Sequence, residues 1–186
     1  MKAIFLDRDG VINRHPGDFK YVDSWQKFKF LKGVKSALKE LSQNGYLLFI
    51  ASNQAGVSKG VYSQDTLDKI TAKMLDELQK NGALFQAVYY CIHKKEKNCP
   101  CRKPKPGLIK KAIKEAAAFG IKIKTKNSYF IGDTQRDIEA GKSAGLKAIL
   151  LFSGKEKAGG QDGWKIKPDI YAKNLSEAAK IILKKQ

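Results

Sequence analysis

Acidic residues in two short segments are the groups in this sequence best suited to chemistry. Asp7 and Asp9 flank Arg8 near the start of the chain, and Asp133 and Asp137 lie far downstream. Carboxylates can serve as nucleophile, general acid or general base, and their oxygens are the ligands that Mg²⁺ prefers. Either pair alone is also typical of a surface turn, so a shared site requires a fold that brings the two segments together.

A second group of reactive side chains lies between residues 91 and 101, which contain every cysteine of the chain and one of its two histidines. Three thiolates and one imidazole form a standard tetrahedral set for structural zinc, and such a closed site leaves no position for catalysis. The alternative is a buried first cysteine with an exposed pair in a loop. The predicted zinc ligands are Cys91, His93, Cys99 and Cys101.

The residues between these ligands, 94–98, are polar and would bury nothing, so a cross-link is needed to order a zinc loop over residues 91–103. Arg102 and Lys103 follow the last cysteine directly. Zinc would therefore hold both cations toward an anionic ligand. A guanidinium can bind phosphate through two parallel hydrogen bonds, which an ammonium group cannot do.

Apolar runs alternate with helical periods along the chain, which predicts an α/β fold with a Rossmann-like parallel sheet and helices on both faces. A single domain over residues 1–186 is expected. The predicted strands are 3–6, 46–51, 85–91, 129–132, 146–152 and 169–172. The predicted helices are 33–44, one that begins after Ser63 as N-cap and extends through Leu78, 106–120, 135–144 and 175–183.

The polar segments lie between the predicted strands and the helices that come next in the chain. Asp7 comes after the first strand, residues 52–55 after the second, Arg102 and Lys103 after the third, and Asp133 after the fourth. Parallel sheets bind their ligands at the carboxyl ends of the strands. The sequence therefore predicts that carboxylates, a hydroxyl and cations meet at one edge of the sheet.

Composition restricts the class of protein. The chain has 186 residues, of which 42% are hydrophobic and 29% charged, as in a globular protein. Its 36 Lys and Arg against 18 Asp and Glu give a net charge of +18, which favours an anionic partner. The apolar runs are too short for a signal peptide or a membrane span. Three cysteines without an export signal are expected to stay reduced in the cytoplasm.

The order of the motifs over residues 7 to 137 resembles that of the haloacid dehalogenase (HAD) superfamily of aspartate-based phosphohydrolases. The resemblance implies that Asp7 is the nucleophile that forms an aspartyl phosphate. Asp9 would be the general acid and then the general base. Mg²⁺ would be bound by the Asp7 carboxylate, the Asp9 backbone carbonyl and Asp133.

The same resemblance implies roles for three further residues. Ser52 would donate a hydrogen bond to the transferring phosphoryl group, and Lys103 would neutralise the charge of that group and of the nucleophile. Asp137 would position Lys103 or a metal-bound water, or it would only favour the start of a helix through its charge.

Within the superfamily, segment 7–13, the zinc loop and segment 101–107 are similar to a small branch without a large cap domain. This branch contains heptose bisphosphate phosphatases and histidinol phosphatases. Segment 101–107 resembles the heptose enzymes, whereas the short zinc loop and residues 14–22 are closer to the histidinol enzymes. The candidate substrate-binding residues on this resemblance are Arg8, His15, Asn53, Gln54, Ala55 and Arg102.

The leading expectation is a monomeric, Mg²⁺-dependent phosphatase that removes the 7-phosphate of D-glycero-D-manno-heptose 1,7-bisphosphate, with structural Zn²⁺ and no membrane association. The alternative substrate is histidinol phosphate. An alternative of another class is a basic nucleic-acid-binding module with a zinc loop and inactive motifs. No cluster of aromatic and basic residues supports that class, so nucleic acid is disfavoured as the partner.

Overall fold

The computed structural model describes residues 1–184, and a six-stranded sheet forms the centre of the fold. Every strand pairs in parallel with its neighbours, in the order β3-β2-β1-β4-β5-β6. The predicted α/β class is confirmed. The strands are β1 (Ala3–Leu6), β2 (Leu47–Asn53), β3 (Phe85–Cys91), β4 (Tyr129–Gly132), β5 (Lys147–Leu151) and β6 (Ile170–Ala172).

Five α-helices cover the two faces of this sheet in residues 1–184. They are α1 (Val34–Gln43), α2 (Gln64–Lys80), α3 (Gly107–Ala118), α4 (Gln135–Ser143) and α5 (Leu175–Lys184). Successive strand residues point to opposite faces. Ile4 and Leu6 of β1 therefore belong to the core under α1, α2 and α5, and Phe5 belongs to the core under α3. Three short 3₁₀ turns, at Trp25–Lys27, Lys95–Lys97 and Thr125–Asn127, complete the regular structure.

Two element boundaries differ from the prediction in a way that matters for the site. The prediction that β2 ends at residue 51 is wrong, because Ser52 and Asn53 pair with Tyr90 and Cys91 of β3 as the last residues of the strand. Polar side chains at the end of a strand look like a loop in sequence. Helix α3 begins at Gly107, so Pro106 is its N-cap position and not its first residue.

Loops, and no separate cap, surround the carboxyl edge of the sheet in residues 1–184. The loop after β1 contains isolated bridges and the 3₁₀ turn Trp25–Lys27, and the loop after β3 contains the turn Lys95–Lys97. The predicted single domain extends over Lys185 and Gln186, which lie outside the described residues. None of the described helices combines the length and apolar character needed to cross a bilayer.

Candidate active site

A cavity of about 420 Å³ opens at the carboxyl edge of the sheet, where the chain segments after β1, β2, β3 and β4 meet. This is the edge at which parallel sheets bind ligands. The structure brings most of the sequence-predicted site residues to this cavity. They are Asp7, Asp9, His15, Ser52, Asn53, Gln54, Arg102, Lys103 and Asp133.

A buried ammonium group joins two of the acidic segments. Lys103 Nζ lies 2.9 Å from Asp7 Oδ1 and 2.6 Å from Asp137 Oδ1. Burial alone would lower the pKa of Lys103, but the charges of Asp137 and Asp7 outweigh it and raise that pKa. Lys103 is therefore a fixed positive charge beside the proposed nucleophile.

One ammonium group cannot balance the carboxylates around it. Ligand atoms of Asp7, Asp133 and Asp137 lie within 4.8 Å of one another. Burial, and then the neighbouring carboxylates, raise the pKa of Asp133 well above its ordinary value, and burial also raises that of Asp7. Three carboxylates and one ammonium leave two negative charges, which a dication such as Mg²⁺ would neutralise.

The surroundings of Asp133 fit such a cation. Its Oδ1 is buried and has no hydrogen-bond partner among the described residues, whereas Oδ2 accepts the Lys155 N–H at 2.8 Å. A Cβ atom at Gly10 or Gly154 would lie 2.1 or 2.0 Å from Oδ2. Two glycines are thus required for this carboxylate to occupy its place, and one of its oxygens remains free for a ligand.

Asp137 fulfils both roles that the sequence left open. Its Oδ1 holds Lys103, and its Oδ2 accepts the Thr134 N–H at 3.0 Å and the Thr134 hydroxyl at 2.6 Å. The bond from the Thr134 N–H is one half of the capping box of α4, and the Thr134 side chain accepts the Asp137 N–H as the other half. The helix N-terminus therefore fixes the carboxylate that orients Lys103.

The Asp9 carboxylate is held by three neighbouring side chains. Arg8 donates to it through Nε (3.2 Å) and Nη2 (3.0 and 3.2 Å), Asn13 Nδ2 at 2.8 Å and Gln54 Nε2 at 2.9 Å. Burial would raise the pKa of Asp9, but Arg8 and these hydrogen bonds lower it. Asp9 is therefore ionised in the free protein at neutral pH.

Arg8 and Ala55 are not brought to the cavity. Arg8 is completely buried, with its guanidinium on Asp9 and 5.9 Å from the centre of the Tyr90 ring. Arg8 lies at a bend after β1, and its side chain packs on Asp9 and near Tyr90, outside the residues that line the cavity. Neither residue lines the cavity, and the Arg8 side chain is a neighbour of Asp9 instead.

The two polar residues at the end of β2 have different surroundings. Ser52 is buried beside Asp7 and lowers the pKa of that carboxyl, against the larger effect of burial. Asn53 holds the backbone of Lys103 from both sides, since its Oδ1 accepts the Lys103 N–H at 3.1 Å and its Nδ2 donates to the Lys103 carbonyl at 3.2 Å. Asn53 thus connects β2 to the segment that carries the buried cation.

The zinc-loop prediction places four ligands together, and the structure does so. Cys101 Sγ lies 3.3 Å from Cys91 Sγ, 3.2 Å from Cys99 Sγ and 3.3 Å from His93 Nδ1. The ligand atoms of all four residues lie within 4.8 Å of one another. A tetrahedral zinc site with Zn–S bonds of about 2.3 Å has edges of about 3.8 Å, and the longer ligand distances here, 3.6 Å for Cys91–Cys99 and 3.8 Å for Cys91–His93, approach that size. Arg102 Nη1 donates to the His93 carbonyl at 3.1 Å and lines the cavity.

The outer wall of the cavity is basic. Its cationic side chains include Lys20, Lys59, Arg136 and Lys155, against the acidic Asp18 and Glu96. Lys155 Nζ lies 2.6 Å from Asp18 Oδ1, an ion pair that connects the loop after β5 to the loop after β1. Nothing in the sequence alone distinguished these cations from the many other lysines of the surface.

The residues that sequence reasoning missed act behind the cavity wall. Asn13 and Tyr62 hold Asp9 and Gln54, and the Lys155 backbone holds Asp133. Asn13 was noticed only as part of segment 7–13.

Comparison with known proteins shows to which family this chain belongs. The chain is 38% identical over 169 residues to D-glycero-beta-D-manno-heptose-1,7-bisphosphate 7-phosphatase of Haemophilus influenzae, covering 87% of this chain and 88% of that protein. A family model described as HAD-hydrolase-like matches residues 100–178. The chain belongs to the HAD-like hydrolase family. Because its family is one of hydrolases and its relatives are phosphatases, this chain is a phosphatase.

Two further relatives of this HAD-like phosphatase extend the comparison. D-glycero-alpha-D-manno-heptose-1,7-bisphosphate 7-phosphatase of Campylobacter jejuni is 39% identical over 158 residues, covering 85% of this chain and 86% of that protein. The crystal structure of D,D-heptose 1,7-bisphosphate phosphatase of B. bronchiseptica, complexed with magnesium and phosphate, is 29% identical with a TM-score of 0.89. It covers 100% of both chains.

Proposed function

We propose that this phosphatase removes the 7-phosphate of D-glycero-D-manno-heptose 1,7-bisphosphate in a Mg²⁺-dependent reaction through an aspartyl phosphate. The observation that carries the proposal is the cluster of Asp7, Asp133 and Asp137 around the buried Lys103. The names of the relatives support the sugar bisphosphate as substrate and not histidinol phosphate.

Phosphoryl transfer begins at Asp7. Its carboxylate oxygen attacks the phosphorus, and the bond between phosphorus and the sugar oxygen breaks. Lys103 stays beside Asp7 and balances negative charge on the transferring group. Ser52, buried at the end of β2, donates a hydrogen bond to the same group.

Asp9 moves the proton in both half-reactions. The phosphate of the substrate brings negative charge beside Asp9, which favours the protonated carboxyl that the first step uses. The proton passes to the leaving sugar oxygen. The ionised Asp9 then takes a proton from the water that attacks the aspartyl phosphate, and Asp7 is restored.

Mg²⁺ fits the residues present, with Asp7, Asp133 and the Asp9 backbone carbonyl as its ligands. When bound, the ion would neutralise phosphate oxygens and the excess carboxylate charge. The magnesium in the B. bronchiseptica structure supports this assignment. For the second metal, the cluster of three cysteines and His93 supports a structural Zn²⁺.

The basic wall of the cavity supports a substrate with a second anionic group. Lys20, Lys59, Arg102, Arg136 and Lys155 line the cavity beyond the carboxylate cluster. His15 lies on the same wall and accepts the Gly17 N–H at Nδ1. The phosphate that is not cleaved would be attracted to these cations.

The proposal includes a cellular location and an oligomeric state for the enzyme. All three cysteines are free, and thiols that hold a metal are expected to stay reduced in the cytoplasm. We therefore propose that the enzyme is cytoplasmic. We also propose that it is a monomer. Size-exclusion chromatography with light scattering checks the oligomeric state, and a mass twice that of the chain would contradict it.

A panel of phosphorylated metabolites tests the substrate. Both anomers of the heptose bisphosphate, histidinol phosphate and a DNA 3′-phosphate are compared by phosphate release with the wild type and with Asp7→Asn. We expect the highest kcat/KM for one heptose anomer and no turnover by the variant. Preference for histidinol phosphate would contradict the proposed substrate. Binding of nucleic acid without any phosphatase activity would favour the non-catalytic alternative.

A further inference from the structure

Gln54 occupies the centre of a hydrogen-bond network that the reaction steps above do not use. Its side chain is 2% exposed. Nε2 donates to Asp9 Oδ2 at 2.9 Å and to Ser52 Oγ at 3.2 Å, and Oε1 accepts the Tyr62 hydroxyl at 2.7 Å. A single amide therefore joins Asp9, the proposed general acid on the loop after β1, to Ser52, the proposed hydrogen-bond donor to the phosphoryl group at the end of β2.

The chemistry of the neighbours fixes the orientation of this amide. An ionised carboxylate only accepts hydrogen bonds, so the NH₂ group of Gln54 must face Asp9 and the oxygen must face Tyr62. Tyr62 is itself fixed, because it packs where Gly56 has no side chain. A Cβ atom at Gly56 would lie 2.2 Å from Tyr62 Cε1.

The network also determines where the Ser52 hydroxyl points. Because Ser52 Oγ accepts a hydrogen bond from Gln54, its own proton is available to another acceptor, and Ser52 hydrogen-bonds the carboxylate of Asp7. That is the position the transferring phosphoryl group reaches. Both N–H groups of the Gln54 amide are used by Asp9 and Ser52, so neither is left for a sugar hydroxyl.

We propose that Gln54 is a positioning residue, whose side-chain amide holds Asp9 and Ser52 in a fixed relation to the reacting phosphorus and does not bind the sugar. This inference rests on the roles of Asp9 and Ser52 in the proposed function, but not on which sugar is the substrate. It differs from the sequence-based expectation that Gln54 contacts the substrate.

The experiment compares Gln54→Met with the wild type on p-nitrophenyl phosphate and on heptose bisphosphate. We expect kcat to fall about tenfold to a hundredfold on both substrates, because small misplacements of reacting groups cost rates of that size. KM should stay within about twofold. The matched control is Gln64→Met on the exposed start of α2, where the lost hydrogen bond is with Asp68 and activity should be unchanged.

Two results would overturn the proposal. One is an increased KM for the sugar bisphosphate with unchanged turnover of p-nitrophenyl phosphate, which is the behaviour of a substrate contact. The other is a kcat within twofold of the wild type on both substrates. If thermal melting shows that the methionine variant is unfolded, Gln54→Glu replaces it, since it keeps the size and the acceptor for Tyr62 but donates nothing to Ser52.

The glutamate variant should show the same loss of kcat, and full activity in it would contradict the proposal. A different result is expected if heptose bisphosphate is not the substrate. In that case the wild type would not cleave heptose bisphosphate, and the comparison on p-nitrophenyl phosphate would still decide the role of Gln54.

Discussion

Lys103 is buried between Asp7 and Asp137, and its charge is solvated by those two carboxylates instead of water. Removing one partner from such a group leaves uncompensated buried charge, which is more costly than the pair itself is stabilising. The stability of the free protein and the rate of the reaction should therefore depend on the same side chain.

Lys103→Met is expected to lower the free energy of unfolding by about 3–5 kcal/mol at neutral pH without Mg²⁺, because the carboxylates lose their cation. Saturating Mg²⁺ should recover part of this loss, and kcat should fall about a hundredfold or more. Urea unfolding with and without Mg²⁺ measures the first effect. Lys110→Met on the exposed side of α3 is the control, and equal stabilities of the two variants would contradict the account.

Some site residues could be predicted from sequence because their position depends only on strand order. Asp7 and Asp133 follow β1 and β4, which are neighbours in the sheet, so their proximity follows from the topology. The direction of Arg8 and the two bonds of Asn53 to the Lys103 backbone could not be predicted. They depend on how a loop distant in sequence packs on the strand ends, and no local pattern encodes that.

At the scale of elements, the zinc loop is the segment most dependent on a bound ion. Residues 94–98 contain a single short turn, and the loop is joined to the site through the Arg102 bond to the His93 carbonyl. The grouping of the cysteines was predictable because nearby ligands in one loop must meet to bind a metal. Lys103 lies two residues after the last ligand, Cys101, so disorder in the loop would reach the buried cation.

Cys99→Ser is expected to reduce zinc from one equivalent to a small fraction and to lower kcat about tenfold or more, because the ligand set is incomplete. Elemental analysis and turnover of p-nitrophenyl phosphate are the measurements. Lys97→Ala in the same loop is the control and should retain both. A Cys99→Ser protein with wild-type activity would show that the loop does not position Lys103.

The last strand is held in place by a carboxylate. Asp169 Oδ2 accepts the Ala148 N–H at 2.6 Å, and Oδ1 lies 2.6 Å from Lys142 Nζ. Partial burial acts to raise the pKa of Asp169, but the bonds from Lys142 and Ala148 lower it below the ordinary value. The stabilisation is therefore present above the pKa of an unfolded aspartate and disappears as the pH falls through the lower folded pKa.

Asp169→Asn should lower the free energy of unfolding by about 1 kcal/mol at pH 7, the usual value of such a bond. The difference from the wild type should shrink below about pH 4, where the aspartate of the unfolded chain becomes protonated. Urea unfolding across this range is the measurement, with the exposed Asp162→Asn as control. A difference that stays constant with pH would mean that the charge of Asp169 contributes nothing.

At the scale of the whole molecule, the excess of positive charge contributes to a specific binding site only where the fold brings cations together. The net charge of +18 favours anions everywhere on the surface, but within residues 1–184 the cavity alone combines cations with a carboxylate cluster that can bind a metal. The sequence predicted the sheet because strands and helices alternate. It could not predict which lysines border the cavity, because that depends on the packing of loops after β1, β2 and β5.

The central claim is that Asp7 forms a covalent bond to the phosphorus of the substrate, and a trapped mimic tests it most directly. A crystal structure of the enzyme with Mg²⁺ and beryllium fluoride should show beryllium bonded to a carboxylate oxygen of Asp7, with fluorines near Ser52 and Lys103. Electron density for an unmodified Asp7, with the fluoride complex bound elsewhere, would contradict the account.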